Sequence, residues 1–439
     1  MQGRSVSNAP ERLTIRTPLG RAHLLASSVI RETRRAGIGM DSLTAVGSLR
    51  RFAPDVGDVA LLGVVPAPRH GHVLRAFARL PLVAEITTTR PTSVTARTAR
   101  GDVTLHLTAP EQAGAALVWH TGSRAHVDQL RTRAQRAGLR FLDGTVSRLL
   151  GGTVEYAREE DLYAALDLPF IAPELRGGGD EIAAGERGEL PTLLADAHIR
   201  GDLHTHSTWS DGRNTIADMV SAGKQLGYEY LAITDHSERA WSSRKLAAAD
   251  IGKQRDEIEA LRARVRGIEI FHGVEVDIMP DGSLDFEDHL LEGFDIVLAS
   301  LHDAADHDPT RLTERYLRAI RHPLVNVITH PANRSPAVSA GYPLDFDRLF
   351  AAAAETGTAM EVDGAPGHLD MDGQLARRAA AAGVTIAVDS DCHRVEALSR
   401  QMRFGVGTAR RGWLEPAHVL NTRSASDVRA FIARKRTRG

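Results

Sequence analysis

The chain has 439 residues, which is too long for one ordinary domain, so we expect two or three domains with sizeable cores. No apolar run approaches the roughly 18 residues of a membrane span, and the N-terminal sequence MQGRSVSNAPERL lacks the apolar stretch of a signal peptide. These features predict a soluble protein without a membrane partner. The single cysteine, Cys392, excludes an intrachain disulfide and agrees with a cytoplasmic location.

The charge of the chain differs between its two parts. Residues 1–150 contain 21 arginines, no lysine and 10 acidic residues, whereas the remainder contains 33 basic and 46 acidic residues. The first part could therefore contact a polyanion such as DNA, and the second could gather cations. Two solvated surfaces of opposite charge explain the same counts equally well.

The pattern of the first 172 residues predicts a small α+β domain, which we place at residues 12–172. A helix is expected over 18–36, followed by a strand, a glycine turn and a second strand in SLTAVGSLRR and DVALLGVV. Segments 82–88 and 91–108 are typical of further strands, and 110–137 is mostly helical in pattern.

A second domain is expected after a linker at residues 173–199, where proline, glycine and charged residues are mixed. Apolar runs then alternate with amphipathic helical stretches, which predicts a parallel α/β arrangement, either a barrel or an open sheet. Seven strands are expected, at 202–206, 230–235, 268–278, 295–301, 325–329, 359–363 and 384–388. We place this domain at 200–425 and a basic C-terminal tail at 426–439.

Histidines follow the predicted strands with unusual regularity. In GDLHTHSTWSDG, His204 and His206 share one face of an extended strand, and Asp211 adds a carboxylate, which is a ligand set suited to zinc, manganese or iron. The next strand ends read ITDH, VEVD, ASLH, ITHP and DSDCH. Because the C-terminal ends of parallel barrel strands open onto one face, these side chains are expected to meet there. A structural role at each separate strand end is the alternative.

From Gly201 to about Val419 the chain resembles the PHP superfamily, the polymerase and histidinol phosphatase domain. The resemblance implies a distorted barrel of seven β/α units that holds two to three divalent ions of manganese, zinc or iron. It also implies nine metal ligands, with Glu275 as the bridging, catalytic carboxylate: His204, His206, Asp211, His236, Glu275, His302, His330, Asp391 and His393.

The other histidines of this region are not expected to be ligands, because they fall inside strands, on helices or in loops: His272, His289, His307, His322 and His368. Cys392 lies between two ligand candidates, but on a strand end its side chain should point away from both. We therefore expect Cys392 to be a packing residue.

The resemblance is closer to the C-terminal PHP domain of bacterial family X DNA polymerases. It rests on GVEVDIMPDGSLDF, DIVLASLH, THPANR and EVDGAPGHLDM, and it continues upstream through ALDLPFIAPELR to VGSLRRFAPDVGD. It implies that Gly47, Ser48 and Arg51 belong to a turn that cradles nucleotide phosphates, and that Asp58 is the first of three magnesium-binding carboxylates.

The polymerase pattern is incomplete in this sequence. Ala60 and Thr104 stand where the family has the other two carboxylates, and Asp102 lies about 6 to 7 Å along its strand from the position needed. The chain also begins where the palm would begin, without the helical DNA-gripping domains. We therefore expect residues 12–172 to be a degenerate palm/thumb-like domain without polymerase activity, because two-metal phosphoryl transfer needs those carboxylates.

These features lead to three hypotheses about function. The first is a metal-dependent phosphoesterase that acts on DNA 3′ ends, with the basic N-terminal domain contacting DNA and Arg334 binding a phosphate oxygen. For Arg334, an exposed loop arginine is an equally good interpretation. The second is a small-molecule phosphatase similar to histidinol phosphatase, and the third is a DNA- or nucleotide-binding accessory protein. The sequence identifies neither the natural substrate nor any protein partner.

Overall fold

The computed structural model describes residues 16–240, 242–302 and 308–437. The expected start of the first domain at residue 12 and the last two residues of the predicted tail lie outside the described residues. Within those ranges, no helix combines the length and the apolar character needed to cross a membrane.

The N-terminal unit mixes strands and helices, which confirms its predicted α+β class. Its strands are β1 Thr17–Pro18, β2 Ser42–Ala45, β3 Asp55–Val56, β4 Val59–Val64, β5 Val83–Arg90, β6 Ser93–Thr98, β7 Gly101–Thr108, β8 Leu139–Leu142, β9 Thr145–Arg148 and β10 Thr153–Val154. Its helices are α1 Leu19–Arg35, α2 Gly47–Arg50, α3 His70–Phe77, α4 Ala113–Thr121, α5 Arg124–Arg136, α6 Glu159–Ala165 and α7 Glu181–Arg187.

A five-stranded sheet in the order β2-β4-β7-β6-β5 forms the centre of the palm. Alternation along β4 divides its side chains between two faces. Leu61 packs with α1, whereas Ala60 and Leu62 pack with Ala116 of α4. The glycine turn expected between β2 and β4 contains the short helix α2, which begins at Gly47 with a φ of +67° that favours glycine.

The thumb packs helices α4 to α6 against the small sheet β10-β9-β8. Residues 173–199 were predicted to be a linker, but the structure shows them packed against both units. Leu175 and Ile182 are buried in the thumb core, and Leu194 is buried in the core of the next unit. Glycine and proline content predicted a loop, but apolar side chains between the glycines tie this segment to both units.

The second unit contains seven parallel strands and eight helices within the described residues. Its strands are β11 Gly201–Asp202, β12 Tyr230–Ile233, β13 Glu269–Asp277, β14 Ile296–Ser300, β15 Val327–Ile328, β16 Ala359–Asp363 and β17 Ile386–Asp389. Its helices are α8 Ile216–Gln225, α9 Ile251–Arg264, α10 Asp288–Leu291, α11 Pro309–Arg321, α12 Phe346–Thr356, α13 Gly373–Ala381, α14 Val395–Arg411 and α15 Ala425–Arg436.

The seven strands form a nearly closed barrel rather than an open sheet. Their spatial order follows the chain from β11 to β17, and a parallel bridge between Thr205 and Cys392 joins the first strand to the last. This confirms the predicted seven-stranded barrel and decides between the two α/β arrangements that the pattern left open.

The interior of the barrel changes from apolar to polar along each strand. Phe271, near the start of β13, packs in an apolar layer, while Glu275, four residues later on the same face, is fully buried in a polar layer. Helix α15 closes the apolar end with Val428 and Phe431. Residues 426–436 are therefore part of a packed helix and not the basic tail predicted from their charges, because their apolar side chains fill the barrel.

The palm, the thumb and the barrel share a packed junction along α14. Phe404 of α14 is buried in the palm core, and a Cβ at Gly407 would lie 2.2 Å from the ring of Phe52. On the thumb side, Arg410 Nε donates to Glu174 Oε1 at 2.9 Å. The units therefore meet through close apolar packing and an ion pair.

Candidate metal centre

The polar end of the barrel collects side chains from successive strands. All nine residues predicted to bind metal lie in the described part of the chain, at or just beyond the ends of β11 to β15 and β17. Parallel strands open their C-terminal ends onto one face, and for this reason residues far apart in sequence meet there.

Glu275 of β13 lies at the centre of this cluster. Its Oε1 atom lies 2.9 Å from His330 Nε2 and 3.6 Å from His302 Nε2. Its Oε2 atom lies 2.8 Å from His236 Nδ1 and 3.3 Å from His204 Nε2. One carboxylate thus faces imidazoles on both of its oxygens, which is the position of a bridging ligand.

The donor atoms fall into more than one group. In each of three groups the atoms lie within 4.8 Å of one another: His206, Asp211, His236 and His393; His204, His206 and Asp391; His236, Glu275 and His302. His206 and His236 each belong to two groups. A cluster with shared ligands suits several ions close together better than one ion.

Several polar atoms of this cluster are buried without a hydrogen-bond partner, as expected of residues that bind metal ions. His204 Nε2, Glu275 Oε2 and His236 Nδ1 are buried without a hydrogen-bond partner, although His236 Nδ1 and Glu275 Oε2 are only 2.8 Å apart. Buried polar atoms normally have a hydrogen-bond partner. Imidazole nitrogens and a carboxylate oxygen that face one another without one therefore indicate that they share a cation. Burial disfavours the charged form of Glu275, but the neighbouring histidines outweigh this effect and hold its pKa well below the ordinary value.

Two ligand candidates hold a backbone conformation that non-glycine residues rarely adopt. The φ angle is +25° at His330 and +48° at Asp391. Such residues cost about 1 to 3 kcal/mol each and concentrate at functional sites. At both positions the strained backbone turns the side chain into the cluster.

Carboxylates beyond the nine candidates orient the imidazoles. Glu361 Oε1 lies 2.7 Å from His204 Nδ1, and Asp277 Oδ1 lies 3.1 Å from His302 Nδ1. A carboxylate on Nδ1 holds the ring so that Nε2 presents its lone pair inward. Neither residue was given a role on sequence grounds. The available signal was their position: Glu361 lies on β16, which supplies none of the nine candidates, and Asp277 follows Glu275 on the same strand face.

His368 is the largest departure from the predicted site. It was expected to lie away from the strand ends, yet its ring stacks on that of His330 with centroids 5.0 Å apart, and it forms a fourth donor group with Asp363 and Asp391. Burial lowers its pKa to about 4, and its Nδ1 atom is buried without a partner. The loop after β16 folds back over the cluster, which sequence spacing did not reveal.

The remaining histidines agree with the structural roles expected of them. His272 Nε2 lies 2.9 Å from Gln254 Oε1, and His289 and His322 lie beside Glu287 and Asp288. The fifth residue of that set, at position 307, lies outside the described residues.

Cys392 is fully buried in the barrel core, and its Sγ atom donates to the Arg394 carbonyl at 2.9 Å. Burial raises the pKa of this thiol to about 12, which keeps it protonated. The structure therefore agrees with the packing role predicted for it.

Arg334 follows the strand that bears His330, as predicted, but its guanidinium is directed elsewhere. Its Nη1 atom lies 3.0 Å from Asp372 Oδ2, and only 13% of the side chain is exposed. None of its described contacts reaches one of the nine ligand candidates. A contact with substrate remains a prediction for this residue.

In the palm, the arginines at the predicted nucleotide site are bound to other residues of the protein. Arg51 donates to the Thr121 carbonyl, and Arg50 pairs with Glu159 at 2.6 Å. Burial lowers the pKa of Arg51 to about 10. The turn with Gly47 and Ser48 is present, and both of its arginines are engaged with the thumb, so a phosphate at this turn would compete with those contacts.

The positions of the missing carboxylates meet as the resemblance implies. Ala60 and Thr104 are direct partners in the parallel pair β4-β7. Asp58 lies just before β4 and is exposed, while the Asp102 carboxylate accepts from Arg97 Nε at 3.3 Å. One carboxylate, an alanine and a threonine therefore stand where three carboxylates would hold magnesium.

Comparison with known proteins agrees with this two-part plan. Residues 202–336 match the model of the PHP domain, and residues 116–177 match that of the DNA polymerase beta thumb. The chain is 35% identical over 392 residues to the DNA polymerase/3′-5′ exonuclease PolX of Bacillus subtilis strain 168, covering 88% of this chain and 68% of that relative. The chain belongs to the PolX family.

Two further proteins match shorter parts of the chain. A probable phosphatase of Thermoanaerobacter sp. strain X514 is 33% identical over 204 residues, covering 44% of this chain and 78% of the relative. Polymerase beta of Leishmania infantum, in a ternary gap complex, matches with a TM-score of 0.33 and 17% identity over 37% of this chain and 71% of that one. For this PolX family member, the PHP domain and its phosphatase and exonuclease relatives support a metal-dependent phosphoester hydrolase.

Proposed function

We propose that this PolX family member is a metal-dependent phosphoesterase that removes nucleotides from DNA 3′ ends, with an inactive polymerase palm. The observation that carries the proposal is the contrast between its two sites. Glu275 and the eight other candidate metal ligands gather at one end of the barrel, whereas Ala60 and Thr104 stand at two of the three carboxylate positions of the palm. The exonuclease activity named for the Bacillus relative gives the substrate class.

Divalent ions held by the nine ligands would stabilise the charge that develops at phosphorus and lower the pKa of the attacking water. The side chains of this chain supply the positioning. Glu275 faces imidazoles on both oxygens and would set the spacing of the ions, while Glu361 and Asp277 fix the rings of His204 and His302.

The exposure of the ligands indicates the direction from which a phosphate would approach. Most of the cluster is buried, but 21% of the Asp211 side chain, 31% of His393 and 19% of His302 are exposed. A phosphate would approach at this partly open side. Arg334 would have to leave Asp372 to bind a phosphate oxygen, so its proposed contact requires a substrate that competes for the guanidinium.

The test offers the purified chain, with manganese, four kinds of substrate: labelled single-stranded DNA, a recessed duplex, a 3′-phosphate end and a panel of phosphomonoesters. We expect stepwise loss of nucleotides from the 3′ end and no activity in a His206→Ala chain purified in parallel. Hydrolysis of phosphomonoesters without any change in DNA would overturn the proposal. That result would favour a small-molecule phosphatase, the second candidate, which the match of the barrel to the Thermoanaerobacter phosphatase supports.

A further inference from the structure

Two basic cavities lie along α14, between the metal centre and the back of the palm. The smaller, of about 500 Å³, is lined by Arg213, Arg394 and Arg400 and by one acidic residue, Glu396. The larger, of about 840 Å³, lies at the junction of α1, β2 and α14 and is lined by Arg31, Arg34 and Arg403, among others. Neither contains a residue of the nine-ligand cluster.

The smaller cavity adjoins the metal centre directly. Arg394 follows the ligand candidate His393 in the chain, and Arg213 follows Asp211 by two residues. The backbone N–H of Arg213 donates to the His393 carbonyl at 2.8 Å, so the two loops are joined at the rim. A strand whose end lies at the metal ions would therefore meet these arginines first.

The larger cavity continues the same line. Arg400 and Arg403 are three residues apart on α14 and thus lie on one side of the helix. Arg403 lines the larger cavity together with His23 of α1, and Arg400, one turn earlier, lines the smaller one. The nine residue steps from Arg394 to Arg403 correspond to a rise of about 13 Å, and because α14 starts at the barrel mouth, the line runs down the outside of the barrel.

The arginines of this line take little part in the charge pairing of the fold, although Arg403 Cζ lies 6.0 Å from the centroid of the Phe52 ring. Six of them, which we call the arginine track, make no ion pair or side-chain hydrogen bond among the described residues: Arg31, Arg34, Arg213, Arg394, Arg400 and Arg403. The acidic groups of the larger cavity are already engaged. Glu174 binds Arg410 at 2.9 Å, and Glu32, beside the cavity on α1, binds Arg35 at 2.9 Å. Glu396 is the one acidic side chain that lines the smaller cavity.

The six arginines of the track lie away from the predicted magnesium positions of the palm, although the larger cavity also reaches Arg50, beside the predicted phosphate turn. Those magnesium positions face α4, where Ala60 packs with Ala116, whereas the larger cavity lies beside α1 on the opposite face of the sheet. Its lining includes the half-buried rings of His23 and Phe52 beside the arginines. Both rings already pack in the junction, Phe52 beside Gly407 and Arg403 and His23 edge-on to Phe404, so a base could contact only their exposed edges. Positive charge beside such edges suits an unpaired strand, whose bases are exposed, better than a duplex.

We propose that the arginine track binds single-stranded DNA that extends from the metal centre, passing the rim at Arg213 and Arg394 and following α14 to the junction with α1. The inference rests on the proposed function, because it takes the end of the strand to lie at the metal ions. It names the substrate as an unpaired strand long enough to reach α1. Arg51, which the resemblance placed in a phosphate cradle, has no part in it, and Arg50, which lines the larger cavity, is paired with Glu159.

The test compares two charge-matched double variants of the full chain. Arg400→Glu/Arg403→Glu alters the track, whereas Arg311→Glu/Arg321→Glu alters exposed positions of α11, on the opposite side of the barrel. Binding of a labelled single strand is measured by fluorescence anisotropy over a salt series, with His206→Ala present in each chain to prevent cleavage. We expect the track variant to bind at least tenfold more weakly. The slope of log affinity against log salt should fall by about 1.4, which is about 0.7 for each of two phosphates that the variant no longer neutralises.

Equal loss of affinity in both double variants, or no loss in the track variant, would overturn the proposal that the arginine track binds single-stranded DNA. Binding of a blunt duplex as tightly as the single strand would also overturn it. Circular dichroism checks folding, and Arg31→Gln/Arg34→Gln, at the far end of the track, repeats the test if the α14 variant is unstable. Binding is measured without cleavage, so failure of the track is distinguished from failure of the exonuclease proposal, which the nucleotide-release assay decides separately.

Discussion

The two potential catalytic sites of this chain differ in how many of the expected metal ligands they contain, although the fold around each is intact. The barrel keeps nine ligand candidates, and carboxylates such as Glu361 hold the imidazoles in place. The palm keeps its sheet and the paired strands β4 and β7, but an alanine and a threonine stand at the paired positions. Apolar packing thus holds the palm sheet together without acidic side chains at these positions, whereas a metal cluster depends on its ligands.

The largest effect on activity is expected when candidate metal ligands are removed from the barrel, so that it lacks ligands as the palm does. His204→Ala/His206→Ala removes two imidazoles that face Glu275 and Asp391. Loss of several kcal/mol of transition-state stabilisation predicts at least a thousandfold slower phosphodiester hydrolysis. Elemental analysis should show less bound transition metal per chain than the more than one ion expected for the unmodified protein. Full activity after chelation, with no metal detected, is the result that would contradict this prediction.

The second effect concerns how the palm now uses its arginines. Glu159 accepts from Arg50 and from Arg176, whose side chain is fully buried. Removing one partner of a buried ion network leaves charges uncompensated, so Glu159→Gln should lower the free energy of unfolding by about 3 to 5 kcal/mol at neutral pH. Denaturant unfolding of the full chain measures it.

The pH dependence of this effect has a definite sign. Burial opposes ionisation of Glu159, but Arg50 and Arg176 outweigh it and lower its pKa. A carboxylate with a lowered pKa stabilises the fold above the unfolded-state pKa, about 4.3, and loses that contribution as the pH falls through the folded-state value. The difference between the two proteins should therefore be full at pH 7 and shrink below about pH 4. A constant difference down to lower pH would show that lost packing, not charge, causes the instability.

A smaller effect is expected from a residue that holds a candidate metal ligand in place without being one itself. Glu361→Gln keeps the size of the side chain but weakens its hold on His204 Nδ1. Loss of such an orienting carboxylate typically costs about 10- to 100-fold in metal affinity or activity. Manganese titration of the hydrolysis rate measures it, and excess metal should restore most of the activity. A loss that added metal leaves unchanged would indicate a structural defect instead.

The histidines at the strand ends could be predicted from the sequence because strand periodicity and strand ends are local properties, and the resemblance to the PHP superfamily then implied the set of nine ligand candidates. His204 and His206 share a face by alternation, and parallel topology then brings each strand end to one mouth. Contacts over long separations were not predictable in this way. His204 meets Glu361 across 157 residues, and His368 reaches His330 through the fold of a loop. The packing of 173–199 and of α15 was missed because charge and glycine content hid a few well-placed apolar residues.

The smallest effect is expected when the palm is given back its carboxylates. Ala60→Asp/Thr104→Asp would restore three acidic positions with Asp58, yet position 60 is buried against Val46, Leu62 and Ala116. A carboxylate there lies in an apolar cluster and is costly to ionise.

Arg51 also remains bound to the Thr121 carbonyl, so the phosphate cradle stays closed in such a variant. We therefore expect no primer extension above background from the unmodified chain and little or none from the double variant. The control for contaminating polymerase is an Asp58→Ala chain purified in parallel, because it removes the last carboxylate of the site. Extension by the unmodified chain that disappears in Asp58→Ala would show that one carboxylate suffices, and the contrast between the two sites would then be wrong.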